Sequence, residues 1–399
     1  MKQWLSLKYS LFLVLAYTGC ACQKEPMPAP EVLAPPILTY FYAEADTVGA
    51  IVTLVGKHFS KQKQNNAVSF NGVDAPAFRA SEDTLKVRVP AGATTGLLQV
   101  KVYAQVVSST RPFTLLTGRW RQQTSCPGPG RFDGIGFAIG SKCYVGTGTG
   151  YGTYLKDFWE YDVTTRKWTP KADFAGGLRR QAISFVLNGK AYVGFGTNTA
   201  TFTSTQDFYE YDPTLDRWTR KAAIPSYSTD DAVGLAVQGR GYIVTGGFSQ
   251  QVLEYNPQTD TWLTKRDFPG QARAQATGFV LGTKAYVGGG NSGGTPYLRD
   301  FWEYDQAADK WTRKADLVAD CVEGIGFAVQ GKGYLGVGYN IAKELDEYDP
   351  LRDAWVRKAK HAGPGWYGAV AFSVGDKGYV ATGITLNNNV SAQLWSFTP

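Results

Sequence analysis

The sequence predicts an all-β chain in which a small antiparallel sandwich precedes a six-bladed propeller. Three observations carry that prediction. Glycine makes up 46 of 399 residues, aromatics are at 14% and only two Met occur, a mixture that suits short strands and tight turns. Beyond residue 118, six Trp recur at intervals of 44 to 50 residues, a period typical of propeller blades. Ahead of them, short runs alternate apolar and polar residues as half-buried strands do. At 43% hydrophobic and 19% charged, the chain can bury large cores. Its formal charge of +7 is not gathered into runs, so nothing points to a nucleic-acid partner. Two His exclude a site of three imidazoles, and five Cys are too few for a disulfide-built scaffold.

Residues 1–20 read as an export signal. Lys2 and Lys8 precede an apolar run, Leu11 to Ala16, and then Tyr17-Thr18-Gly19-Cys20. This ending resembles a bacterial lipoprotein processing site, which would make Cys20 the lipid-modified first residue of the mature chain. Tyr17 stands where such sites usually carry Leu. Ordinary cleavage, releasing a secreted protein, is the alternative. The next residues, Cys22-Gln23-Lys24-Glu25, are similar to the surface-export tags of some Bacteroidetes-type lipoproteins. Five Pro between Pro26 and Pro36 stiffen residues 21–35 into an extended stalk. No other run approaches 18 apolar residues. The expected place is therefore the outer membrane or cell surface of a bacterium, with a lipid anchor as the sole membrane contact.

Residues 36–116 carry the sandwich. Val52-Thr53-Leu54-Val55, Leu85 to Val89 and Leu98 to Tyr103 alternate in period two, and Gly56, Asn71-Gly72, Pro90-Ala91-Gly92 and Gly96 punctuate them. Val52 to Phe59, Val68 to Gly72 and Val89 to Gly92 resemble the IPT/TIG domain, an Ig-like module. The resemblance implies a spacer or interaction role without chemistry, and His58 is assigned none.

Residues 117–399 form the repeat. Trp120, Trp168, Trp218, Trp262, Trp311 and Trp355 mark fourth strands, and Tyr144, Tyr192, Tyr242, Tyr286, Tyr334 and Tyr379 mark second strands. A third marker, Asp157 to Asp162, recurs in degenerate form and labels third strands. Trp120 precedes the first copy, and no Trp strand follows the sixth. The N-terminal strand should therefore complete the last blade and remove an exposed sheet edge. Small residues such as Gly134 and Gly136 alternate with Ile135 and Phe137 on the innermost strand, which should wedge blade against blade. These units resemble kelch repeats of the galactose oxidase superfamily, although Gly146-Thr147-Gly148 stands where a glycine doublet is usual.

The connections between second and third strands, and from each fourth strand to the next first strand, vary most. They share one face, the expected binding face. Four positions before the Phe137 equivalent stand Asp133, Gln181, Asp231, Gln275 and Glu323, with Gly368 in the sixth copy. This polar ring at the channel mouth could hold a cation or a polyol, or it could simply line a wet channel. Two positions earlier, Arg131, Arg179 and Arg273 form an expected basic rim, suited to a sugar acid or to local ion pairs. Trp366 is the one Trp that is neither in the signal nor a strand marker. With Tyr367 and His361 it could stack on a sugar or anchor a partner; alternatively it plugs the channel as packing. Tyr151, Tyr154, Tyr227, Tyr297 and Tyr339 fall on loops of the same face.

The expected function is a monomeric, envelope-anchored binding protein, non-catalytic and without cofactor or metal, whose partner is a glycan or an envelope or extracellular protein. Copper-radical oxidation would need two His ligands, and the propeller holds only His361. Sialic-acid mutarotases share the six-bladed kelch form, so the resemblance implies an alternative. It is a sugar mutarotase or epimerase working through Asp133, Asp231, Glu323 and His361. Cys126, Cys143 and Cys321 are expected as free or buried thiols, because the connections holding Cys126 and Cys321 belong to blades that are not neighbours.

Overall fold

A computed structural model describes residues 34–198, 200–201, 203–225 and 230–399. Cys20, the export signal and nearly all of the stalk lie outside these residues, as does Tyr227. Apart from a 3-10 turn at Lys63–Asn65, every regular element described is a strand.

Two sheets make the first domain. One is ordered Ile37–Tyr42, Ile51–Lys57, Thr84–Arg88, Arg79–Ala80; the other runs Ala45–Asp46, Gln105–Leu115, Gly96–Val102, Asn66–Phe70, Val73–Asp74. The period-two alternation turns Val52, Leu54, Leu85 and Val87 inward from the first sheet, to meet Val68, Phe70, Leu98, Val100 and Phe113 of the second. All are essentially inaccessible, and each such burial contributes about 2 kcal/mol. Gly56 is demanded by contact, since a Cβ there would lie 1.8 Å from the Ile37 carbonyl oxygen.

Six four-stranded antiparallel sheets follow. In the first, Ile135–Ile139, Lys142–Gly146, Phe158–Asp162 and Lys167–Lys171 pair without a bulge. In the last, the fourth strand is Arg119–Gln122, which pairs with Leu394–Thr398 and sets Trp120 opposite Phe397. The two ends of the propeller segment thus meet in one sheet. The innermost strands neighbour one another in a closed cycle, from Ile135–Ile139 through Ile183–Leu187, Val233–Val237, Thr277–Leu281, Ile325–Val329 and Val370–Val374 back to the start.

Complementary sizes wedge the sheets together. Gly241, Gly333 and Gly378 each receive a Phe ring from the preceding blade (Phe185, Phe279 and Phe327), and a Cβ at any of them would come within 2.0 to 2.3 Å of that ring. Cys143, Ala191 and Ala285 hold the same register in the other blades. Gly136 similarly abuts Val370 of the neighbouring inner strand.

The Trp markers also join blade to blade. Each indole Nε1 donates to a backbone carbonyl leaving the preceding blade: Trp168 to Thr124, Trp218 to Ala172, Trp262 to Ala222, Trp311 to Arg266 and Trp355 to Ala315. Trp120 to Ala359, at 2.9 Å, closes the circle. Within five blades the second-strand Tyr hydroxyl donates to a third-strand Glu, as Tyr144 does to Glu160 at 2.8 Å. In the sixth, Ser396 stands opposite Tyr379 and no such bond can form.

Candidate functional site

The polar ring sits where the inner strands begin. Asp133, Gln181, Asp231, Gln275, Glu323 and Gly368 all hold φ between 51° and 60°, a left-handed backbone that non-glycine residues seldom adopt. Backbone hydrogen bonds hold them there. Asp133 N donates to Gly368 O (2.9 Å), Gly368 N to Glu323 O (3.1 Å), Glu323 N to Gln275 O (3.2 Å), Gln275 N to Asp231 O (3.0 Å) and Gln181 N to Asp133 O (2.8 Å). Five blade-to-blade links therefore run round the mouth, and strain at each ring residue is offset by a bond to its neighbour. The sixth member is glycine for a steric reason: a Cβ on Gly368 would lie 2.7 Å from Asp133 Oδ1.

The ring side chains line a vestibule of about 150 Å³, floored by Ala182, Ala232, Ala276 and Ala369. Gln181 Nε2 donates to Asp231 Oδ2 at 2.9 Å. Asn291 donates through Nδ2 to Gln275, which in turn donates to Glu323. Burial, reinforced by the charges of Glu323 and Asp231, lifts the Asp133 carboxyl well above the usual carboxylate range. Burial and the charge of Glu323 push Asp231 up to about 7, and burial raises Glu323 as well. Carboxyls held apart from water and near one another resist ionising together. The opposing charge is Arg180, which acts on both Asp133 and Asp231.

The vestibule adjoins a cleft of about 300 Å³ between the fourth and fifth blades, lined by Asn291, Tyr297, Val322, Tyr339 and the same Gln275 and Glu323. The exposed Tyr339 ring meets half-buried Tyr367 edge to face, with centroids 5.1 Å apart. Burial, then Glu323, Tyr339 and Asp133, raise the Tyr367 hydroxyl above its ordinary value. Apolar ring faces beside carboxyls and amides can hold a hydroxyl-rich molecule. Among the described residues, no three His, Cys, Asp or Glu side chains are grouped as metal ligands.

Three expectations are corrected. Arg131, Arg179 and Arg273 are not a rim; they are fully buried. Each makes a two-pronged pair with an Asp that opens a third strand: Asp157 at 2.8 and 2.7 Å, Asp207 at 2.8 and 2.9 Å, and Asp300 at 2.8 and 2.7 Å. Each also donates to a carbonyl that follows its second strand, namely Thr147, Phe195 or Gly289. These guanidiniums are spent on holding the loops.

Trp366 is likewise fully buried, in the apolar cluster with Trp120, Tyr334 and Phe397. It is packing, and the aromatic pair that reaches the surface is Tyr339 with Tyr367. His361 is buried beside it. Its ring meets Trp120, Trp366 and Trp395, and its Nδ1 lies 3.1 Å from Pro364 O. The structure therefore places it among indoles and not in the vestibule lining with Asp133, Asp231 and Glu323. The signal for these corrections is in the repeat. Two positions before five of the six ring residues stand Arg131, Arg179, Arg273, Cys321 and Trp366, so Trp366 shares its slot with the buried arginines. One position before stand Phe132, Arg180, Asp230, Ala274, Val322 and Tyr367, of which Ala274 and Val322 are buried while Arg180 and Tyr367 are half-buried.

Cys126, Cys143 and Cys321 are free and buried, and burial pushes the Cys126 thiol up to about 11. No helix among the described residues is long and apolar enough to cross a membrane.

Comparison with known proteins agrees with this architecture. Residues 36–115 match the family model of the IPT/TIG domain, and residues 272–317 that of the Kelch motif. The chain thus joins an Ig-like TIG domain to a kelch-type propeller. The solved structure of YjhT is similar with a TM-score of 0.60 and 16% identity, over 68% of this chain and 95% of that one. At that identity the likeness is one of fold. A search of curated proteins finds no match.

Proposed function

We propose that this protein is an exported binding module that takes a glycan at the loop face of its propeller. The observation carrying the reading is the convergence of Asp133, Gln181, Asp231, Gln275 and Glu323 on one vestibule, which opens beside Tyr297, Tyr339 and Tyr367. Carboxyls whose hold on the proton is raised by burial both donate and accept hydrogen bonds when protonated, which suits hydroxyl-rich ligands. Both domain types fit a binding module, for carbohydrate or protein. Attachment to the envelope through Cys20 rests on the sequence of the first 35 residues. A glycan array tests the reading, with Tyr339→Ala and Glu323→Gln alongside the parent chain. Binding to a defined sugar that weakens at least tenfold in both variants supports it. Binding that both variants retain in full removes the site.

A second reading is favoured by one observation, the Asp231 carboxyl at about 7. A group poised near neutral pH serves as a general acid or base, and ring opening of a reducing sugar needs both. Anomeric exchange of an acidic sugar, followed by NMR with the parent chain and Asp231→Asn, decides it. Acceleration lost in the variant favours an enzyme of the mutarotase type.

A further inference from the structure

The outer face of the first sheet in the TIG domain carries a second patch that the propeller reading does not use. Antiparallel register sets Tyr42, Thr53, Lys86 and Arg79 in one row across all four strands, with Tyr40, Val55 and Thr84 in the next. Arg88 stands opposite Ile51 and one pleat beyond Lys86. The face is open: Tyr40 and Tyr42 are 46% and 58% exposed, Ile51 is 47% exposed, and Arg79 and Arg88 are exposed. The two tyrosine rings meet edge to face at 5.1 Å. The Arg88 guanidinium lies 5.4 Å from the centre of the Phe78 ring and donates to Gly49 O at 3.1 Å, so it is held in place.

Among the described residues, the ion pairs of this domain are Lys61 with Glu82 and Arg111 with Glu44. Arg79, Lys86 and Arg88 take no part in them. Most propeller cations near their blades are by contrast paired, as Lys142, Lys190 and Lys332 are. Like charges left together unneutralised cost stability unless an anion answers them. The row adds exposed aromatic faces at one end and cations at the other, on strands about 4.8 Å apart.

We propose that this sheet face binds an acidic polysaccharide, with carboxylates or sulfates on Arg79, Lys86 and Arg88 and pyranose faces against Tyr40 and Tyr42. Charge complementarity selects an anion. The exposed aromatic rings beside the cations select a sugar chain over a bare anionic surface, because stacking rewards a flat apolar ring face. The site is separate from the propeller vestibule, so the two can be tested apart.

The probe is polygalacturonate, titrated onto the purified chain at low and physiological salt, with neutral dextran and phosphatidylglycerol vesicles in parallel. The expected result is saturable binding that falls with salt and drops at least tenfold in Arg79→Gln/Lys86→Gln/Arg88→Gln. Tyr42→Ala should weaken it several-fold, and Lys101→Gln, which removes an exposed cation from the other sheet of the domain, should leave it unchanged. All three cations lie on an open face, so melting temperatures within a few degrees of the parent confirm that the variants fold. Equal binding by the triple variant overturns the proposal. So does binding to dextran as tight as to polygalacturonate, or binding only to the vesicles, which would make the patch a lipid-facing surface.

Discussion

Asp231 and His361 are both buried titratable side chains, and their environments shift them in opposite senses. Burial and the charge of Glu323 hold Asp231 at about 7 in the fold, against about 4 in the unfolded chain. The folded state therefore binds the extra proton between pH 4 and 7. Its contribution is complete below pH 4 and is lost as pH rises through 7. Asp231→Asn should remove this slope, so the variant gains stability relative to the parent as pH climbs from 4 to 8. Thermal melts across that range check it. The buried arginines give a second prediction at this scale. Asp207→Ala strips Arg179 of its two-pronged partner while the guanidinium stays buried. Breaking a buried pair on one side costs about 3–5 kcal/mol, measurable by urea denaturation.

At the scale of the blade, one copy departs from a rule the others keep. Tyr211, Tyr255, Tyr304 and Tyr348 each donate to an Asp five residues on, at 2.7 Å. Asp216, Asp260 and Asp353 also accept a backbone N–H from the preceding blade. In the first blade Arg166 occupies that position, also with positive φ, and the Tyr161 hydroxyl has no carboxylate to meet. Asp tolerates the left-handed backbone better than Arg does. Arg166→Asp should therefore stabilise the protein by about 1 kcal/mol, seen as a rise in melting temperature. Outer strands follow a different logic. Arg119, Arg121, Lys167, Arg217, Arg220, Lys310 and Arg313 lie exposed on them, and charge on an edge strand opposes pairing with another chain.

For the molecule as a whole, the sixth blade and its seam with the fifth matter most, because the two ends of the propeller segment meet in that blade. Trp120 joins it through Ala359 and packs on His361 and Phe397. Trp120→Ala should cost about 3–5 kcal/mol through lost packing and unravel the N-terminal strand first, visible as early hydrogen exchange in residues 394–398. Burial holds His361 down at about 4, against about 6.5 unfolded. Its contribution is present above pH 6.5 and is lost as pH falls through 4. Acid should thus weaken the seam by on the order of 3 kcal/mol, and His361→Leu should abolish that part of the acid sensitivity in melts between pH 7 and 4. This slope opposes that of Asp231, so the single variants separate what the parent partly cancels.

Much of this architecture is legible in the residues themselves. The Trp period, the second-strand Tyr and the lone leading Trp120 announced the repeated sheets and the strand that joins the two ends, because every blade must meet the same packing and pairing demands. The ring from Asp133 to Glu323 was legible too, since register along a regular strand carries from copy to copy. What register could not carry was the direction of side chains just ahead of the ring. There the backbone turns left-handed at each ring residue, and the period-two alternation ends. Only the folded chain decided that Arg131, Arg179, Arg273 and Trp366 point inward as props, while Arg180 and Tyr367 stay half-buried. Tertiary structure alone also set His361 among three indoles, away from the carboxyls. It brought Tyr339 against Tyr367 from different blades. Contacts between distant loops depend on how the blades are spaced round the ring, and no local pattern in the sequence encodes that spacing.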